Sequence, residues 1–289
     1  MPELLLNETM GPANTGIETS TTARQPLVSI VLAVLNGANA IHKTLKSVFS
    51  QTYREKELLI VDGGSTDGTL ELIGENEGSI DYWVSEPDGG IYDAFNKGVR
   101  LARGDWLYFM GAGDFFVDQT VLQRLLTPAP RGKLVYGNVV WGDTQKLYDG
   151  AFSKWKLCGQ NICHQAILYN RGLFQKWGGF DTQYRLWADW AFNMKCFGSP
   201  DTEPEYKNIT VAHYDRGGAS SRSLDELFLA DKTDLIRDSL GRRYELRLRL
   251  HLFKKSITRP IERRVEKFVK SQSSRFFPRL AHQAKRDAP

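Results

Sequence analysis

Along the first half of the chain, short apolar runs of strand length alternate with stretches in which apolar residues recur every three or four positions. Residues 27–35, Leu-Val-Ser-Ile-Val-Leu-Ala-Val-Leu, are apolar apart from Ser29 and stop at Asn36-Gly37, the profile of a buried strand. Ile41, Leu45, Val48 and Phe49 then share one helical face. A second strand is expected at Leu58–Asp62, closed by Gly-Gly-Ser-Thr-Asp-Gly-Thr over 63–69, with a helix through Leu70, Leu72 and Ile73. Ile80–Val84 reads as a third short strand. A helix over Ile91–Ala102 would turn Ile91, Ala94, Phe95, Val99 and Ala102 to the core, and a strand follows at Trp106–Met110. This alternation predicts right-handed βαβ crossovers and a largely parallel sheet, an α/β architecture.

After Pro128-Ala129-Pro130 the texture changes. Leu134–Trp141 reads as a strand, and irregular, aromatic-rich sequence runs on to Tyr184. A helix from about Asp189 to Phe197 and a strand at Ile209–Tyr214 complete the compact part. From Ser223 onward the chain is helical and charged. Leu246, Leu250, Phe253 and Ile257 form one apolar stripe, and beyond Pro260 a second comprises Ile261, Val265, Phe268 and Val269. The expected division is a disordered leader over 1–25, a domain over 26–222 with halves 26–127 and 128–222, and a basic amphipathic helical tail over 223–289.

Composition sharpens two points. A hydrophobic content of 41% supplies a full core for most of the 289 residues, so the leader and tail stand out as exceptions. The formal charge of +4 hides an asymmetry, because residues 241–289 hold 15 Lys or Arg against 4 Asp or Glu. Two basic amphipathic segments in series resemble helices lying in a membrane interface, and the expected partner is an anionic membrane surface, not nucleic acid. Packing of those stripes on the domain or on a partner subunit is the other reading. Cys158, Cys163 and Cys196 are odd in number and fit free thiols in a reducing compartment. Cys158 with Cys163-His164 has no strong zinc-ligand spacing. The opening residues lack a basic segment followed by a long apolar run, and no apolar run is long enough to span a bilayer, so a cytoplasmic protein at the inner face of the membrane is expected.

The candidate chemistry sits where strands end. Asp62 directly follows an apolar strand, at the sheet edge where a base or ribose could be held, although an Asx cap on the following turn explains it equally. Asp93, Asn96 and Lys97 fall at i, i+3 and i+4, so one helical face can present all three to a crevice, or form a solvated ion pair. Gly89 and Gly90 before them allow close backbone approach. Asp114 is a lone carboxylate at the end of Gly-Ala-Gly-Asp, which suits a divalent metal on a diphosphate. No GxxxxGK[ST] is present, which disfavours a P-loop nucleotidase.

These pieces together carry a resemblance. Glu-Leu-Leu-Ile-Val-Asp-Gly-Gly-Ser-Thr-Asp-Gly-Thr (57–69), Ser-Glu-Pro-Asp-Gly-Gly-Ile-Tyr-Asp-Ala-Phe-Asn-Lys-Gly (85–98), Ala-Arg-Gly-Asp-Trp (102–106), Gly-Ala-Gly-Asp (111–114), the stretch from Cys163 to Asp181 and Leu-Trp-Ala-Asp-Trp (186–190) resemble the family 2 glycosyltransferases. The likeness points to members that build bacterial exopolysaccharide, the colanic-acid type among them. It implies a GT-A fold, a Rossmann-like mostly parallel sheet flanked by helices, and transfer of sugar from a nucleotide donor (a UDP-sugar favoured) to a glycan or lipid-linked acceptor with inversion. It implies that Asn36 and Asp62 contact the nucleotide alongside Asp93, Asn96 and Lys97. Asp114, with His213 as a late second ligand, would hold Mg²⁺ or Mn²⁺. Asp189 would be the general base, with Asp181 as its competitor and a helix cap as its bland alternative. His164, Gln165 and Trp187 offer hydrogen bonds and an indole face to the acceptor. The chain departs from the family pattern at Gly63 and Gly111, where many relatives carry a second acid. A non-catalytic glycan-binding or membrane scaffold, and a nucleotidyltransferase, are the alternatives.

Overall fold

A computed structural model of the chain describes residues 24–142, 146–148, 150–214 and 223–256. The leader and the second apolar stripe of the tail lie outside the described residues.

The first half follows the hydrophobic alternation closely. Strands β1 (Val28–Val34), β2 (Lys56–Asp62), β3 (Tyr82–Ser85) and β4 (Trp106–Gly111) are linked by helices α1 (Ala38–Phe49), α2 (Thr69–Glu75) and α3 (Ile91–Leu101). β1 pairs in parallel with β2 and β4, and β2 in parallel with β3. Every residue of β1 is buried, as expected of a central strand covered by helices on both faces. Helix α3 buries Tyr92, Ala94, Phe95 and Gly98, while Ile91 is exposed and only Val99 packs at the edge. Ala94, Phe95 and Ala102 of the expected face are thus buried with Val99 beside them, and the buried face extends to Tyr92 and Gly98. A Cβ there would stand 2.2 Å from Val31 Cγ1, so the helix lies on β1 at a distance only glycine permits.

The second half adds β5 (Phe115–Phe116), α4 (Val121–Leu126), β6 (Leu134–Trp141), β7 (Lys146–Tyr148), α5 (Lys154–Gly159), β8 (Ile167–Asn170), α6 (Gly172–Trp177), α7 (Ala188–Gly198) and β9 (Glu205–Tyr214). The sheet runs β3-β2-β1-β4-β8-β6-β9-β5, with β7 on β6. β8 pairs antiparallel to both β4 and β6, which joins the parallel first half to the mixed second half. The sequence from 150 to 184 is thus more regular than its pattern indicated.

Helix α8 (Glu226–Leu240) packs on α7 through Phe228, Ile236 and Leu240. Asp225 caps it, accepting from Phe228 N at 3.2 Å. A further helical stretch over 242–256 leans on the core through Tyr244 and Leu248, with the Arg247 guanidinium 4.1 Å above the Trp155 ring. Its opposite side leaves Leu246, Leu250 and Phe253 exposed, at 49%, 61% and 63% of their surface. Among the described residues no helix is long and apolar enough to cross a membrane.

Candidate active site

The carboxyl ends of β1 and β4, together with the loop after β3, open onto a cleft, the position expected for ligands of an open α/β sheet. It has two lobes of about 600 and 370 Å³. Tyr92, His164, Gln165, Leu186 and Tyr214 line both, so the lobes adjoin. Asn36, Asp88, Gly89, Gly90, Asp114 and Arg185 belong to the larger lobe. The smaller is aromatic, with Trp141, Tyr148, Trp187 and Trp190 around Asn161 and Asp189.

The turn after β4 delivers Asp114 to the larger lobe, 6% exposed. Its Oδ2 accepts from Gly111 N and from Gln165 Nε2, both at 2.9 Å. Gln165 is itself fixed, because its carbonyl accepts from Tyr108 OH at 2.6 Å. Burial, followed by the Asp114 charge, pushes the Tyr108 hydroxyl well above its usual range, so it serves as a neutral donor. Gln165 Oε1 is buried and accepts no hydrogen bond from the described residues.

Asp189 lies in the smaller lobe, 4% exposed. It is the second residue of α7 and not its cap, since the cap position is Trp187. Its Oδ1 accepts from Tyr92 OH at 2.7 Å and Trp190 N at 2.9 Å, and its Oδ2 from Asn161 Nδ2 at 2.9 Å. Behind Asn161 the bonds run one way: Tyr169 OH donates to Asn193 Oδ1, and Asn193 Nδ2 donates to Asn161 Oδ1. That chain leaves Asn161 only its NH₂ to offer, so it meets Asp189 as a donor. Burial and the Asp189 charge also hold the Tyr92 hydroxyl neutral, far above its ordinary range. His164 Nδ1 stands 3.7 Å from Asp189 Oδ2, while the next residue, Gln165, binds Asp114. Consecutive side chains therefore lie next to the two acids across one cleft.

The other expected site residues divide. Asn36 lines the larger lobe with φ at 50°, its Oδ1 accepting from Thr66 N. Trp187 lines the smaller lobe, set edge-on to Trp190 and Phe228. Asp62 is fully buried and lines neither lobe. It accepts from Ser85 Oγ, from Ser65 N and Oγ, and from Gly64 N, so its carboxylate is spent on shaping the 63–65 turn. Burial raises its pKa, but those donors outweigh it and hold the group below its ordinary value. Asn96 faces the second half, exchanging 2.8 Å bonds with Phe180 N and O. Lys97 pairs with Glu86 at 2.9 Å and donates to Pro87 O, and Asp93 accepts from Gly89 N. These three fix the loop before α3 and the strap at 180 without lining either lobe. His213 stacks on Phe115 at 4.5 Å, whose ring also carries the Lys43 ammonium. Burial and Lys43 both lower its pKa, and strand alternation turns its neighbour Tyr214, not His213, into the cleft.

Asp88, Tyr92, Asn161 and Arg185 are site residues that sequence reasoning missed. For Asp88 a signal existed in Gly63. A Cβ at Gly63 would meet Asp88 Oδ2 at 2.7 Å, so the glycine makes room for a carboxylate brought from the loop after β3.

Among the described residues, no three His, Cys, Asp or Glu side chains converge on one point. In the larger lobe, Asp114 stands beside Gln165, whose amide oxygen has no partner among the described residues. Both are hard oxygen donors, which suits Mg²⁺ or Mn²⁺ completed by phosphate oxygens and water.

Comparison with known proteins agrees with this geometry. The family described as "Glycosyl transferase family 2" matches residues 29–183. A "PGL/p-HBAD biosynthesis glycosyltransferase" of Mycobacterium bovis is 40% identical over 212 residues, 71% of this chain and 83% of that protein. Staphylococcus aureus TarS 1-349 in complex with UDP superposes with a TM-score of 0.58 at 15% identity, over 74% of this chain and 65% of that one. The mannosyltransferase PcManGT from Pyrobaculum calidifontis, in complex with GDP-Man and Mn²⁺, gives 0.53 at 19%, over 66% of this chain and 57% of that one.

Proposed function

The chain belongs to glycosyl transferase family 2, with the GT-A fold and glycosyltransferase activity of that family, and from that premise we propose that it inverts the anomeric centre of a nucleotide sugar. The observation that carries this reading is the placement of Asp114 and Asp189 in adjoining lobes, with His164-Gln165 next to them. The larger lobe takes the donor, whose diphosphate lies towards Asp114. The smaller lobe presents the acceptor hydroxyl to Asp189.

Asp189 accepts the hydroxyl proton as the acceptor oxygen attacks the anomeric carbon from the side opposite the diphosphate. The bond from that carbon to the diphosphate oxygen breaks, and its electron pair leaves with the nucleoside diphosphate. Tyr92 and Asn161 keep the base oriented through this step. Asp114 and Gln165 Oε1 are the residues that would hold a divalent metal, which when bound offsets charge on the departing diphosphate. Asp88 and Asn36 are placed for the nucleoside. UDP in TarS, and GDP-Man with Mn²⁺ in PcManGT, support a metal-assisted nucleotide-sugar donor.

The four aromatic rims of the smaller lobe suit a sugar ring or a lipid-linked glycan. Leu246, Leu250 and Phe253, flanked by Arg242, Arg243, Lys254 and Lys255, place an apolar stripe with cationic edges on the outer side of the 242–256 helix. This arrangement supports peripheral attachment to an anionic membrane at its cytoplasmic face, where a lipid-linked acceptor of cell-surface polysaccharide assembly would be met.

The test is a donor-hydrolysis screen over UDP-, GDP- and dTDP-sugars with and without Mn²⁺. One nucleotide series is expected to be cleaved, faster with the metal. Failure of every donor to bind or react would point instead to a non-catalytic scaffold.

A further inference from the structure

The proposed reaction releases a nucleoside diphosphate, and a charge of that size needs cations beyond one metal. The lining of the larger lobe holds two carboxylates, Asp88 and Asp114, and among the described residues Arg185 is its only Arg or Lys. Sequence reading attached no role to Arg185, which sits in a turn between Asp181 and the helix bearing Asp189.

The anchorage of this arginine differs from that of Lys97 and Lys43. Lys97 is committed to Glu86, and Lys43 to the face of Phe115. Arg185 forms no hydrogen bond and no ion pair with the described residues, yet its backbone is held from both sides. Tyr184 is 3% exposed, meets Phe228 edge-on at 5.6 Å and donates to Asp231 at 3.0 Å. On the other side, Leu186 N and Trp187 N both donate to Asp225 Oδ2, at 2.8 and 3.2 Å, and Leu186 O lies 2.9 Å from the Tyr92 hydroxyl whose proton Asp189 shares. Asp225 is the same residue that caps α8. Arg185 is exposed and lines the larger lobe, so its backbone is ordered by folding while its guanidinium is left uncommitted for an anionic ligand.

We infer that Arg185 is a donor-binding residue that grips the diphosphate of the nucleotide, sharing with the metal the charge of the leaving group. Its planar fork matches two phosphate oxygens at once, which a lysine ammonium does not. The inference rests on the proposed donor reading. It also ties α8 to the donor site, because through Asp225 and Asp231 the C-terminal helix sets the position of the arginine that faces the nucleotide.

The experiment is calorimetric titration of the full chain in EDTA with UDP, GDP and dTDP, followed by the nucleoside of whichever binds most tightly. Arg185→Gln should weaken diphosphate binding roughly 10- to 100-fold, the range of a hydrogen bond to a charged group. It should leave nucleoside binding within about twofold, since that part of the ligand lies elsewhere in the lobe. Arg185→Lys should recover only part of the loss. Unchanged diphosphate affinity in Arg185→Gln, or an equal loss for diphosphate and nucleoside, overturns the inference while the donor reading stands. If the wild-type chain binds no nucleoside diphosphate with or without Mn²⁺, the donor reading falls first and takes this inference with it.

Discussion

Asp189→Asn separates a catalytic carboxylate from a structural one, because its two consequences are set by different atoms. The substitution keeps shape and volume. Oδ1 can still accept from Tyr92 OH and Trp190 N. The other branch becomes an NH₂ facing Asn161 Nδ2, now donor against donor where a 2.9 Å bond existed. Asn161 cannot simply flip, since its Oδ1 is held by Asn193 Nδ2, and Asn193 Oδ1 by Tyr169 OH. Leaving one buried donor unsatisfied costs about 1–3 kcal/mol. For a domain of this size, that lowers the melting temperature by roughly 2–12 °C, at about 2–4 °C per kcal/mol. Loss of the base removes a further ~10²–10⁴ from turnover, measured per folded molecule at a temperature well below the transition. Melting by circular dichroism and steady-state transfer assays read the two effects separately. If Asp189→Asn melts lower but turns over within tenfold of wild type, the carboxylate is structural and its assignment as base is wrong.

Two other outcomes follow from the same geometry. Burial pushes the Glu57 carboxyl up, but Ser29 Oγ, Arg103 N and the Arg103 guanidinium outweigh burial and hold it below its usual 4.5. A depressed carboxylate contributes stability that is fully present above the unfolded pKa and is lost as pH falls through the folded value. Melting temperature should therefore drop as pH falls below about 4.5, and Glu57→Gln should flatten that drop. Parallel curves for the two proteins would refute it. On the 242–256 helix, Leu250→Asp with Phe253→Asp should reduce sedimentation with phosphatidylserine vesicles at least tenfold while leaving hydrolysis of soluble donor unchanged. Equal sedimentation of both proteins would sink the membrane reading.

The sequence made part of this protein legible because local pattern and tertiary burial agree there. β1, β2, β4 and their crossovers are buried on both faces or one clean face, so apolar runs and helical spacing locate them. Asp114 and Asp189, which line the cleft, stood out because each follows an apolar stretch. Misreadings arose where long-range contacts decide. The buried face of α3 was incomplete, because Gly98 counts as neither apolar nor polar, yet Val31 presses against it. The Asp93, Asn96 and Lys97 spacing is real, but spacing cannot say that Asn96 would find Phe180 or Lys97 find Glu86. Four-residue β8 was lost among aromatics, since its antiparallel partners lie far away in the chain. Arg185 has no local signature at all, and the only hint of Asp88 is the distant Gly63. Only the meeting of separate loops makes them neighbours of one cavity.

The division of labour between the two acids is open to one direct measurement: titration of UDP, GDP or dTDP into wild type, Asp114→Asn and Asp189→Asn, each with and without Mn²⁺. Wild type and Asp189→Asn should bind one nucleotide at least tenfold tighter when Mn²⁺ is present, and Asp114→Asn should show no such gain. A metal-dependent gain that survives in Asp114→Asn, or vanishes in Asp189→Asn, would contradict the account.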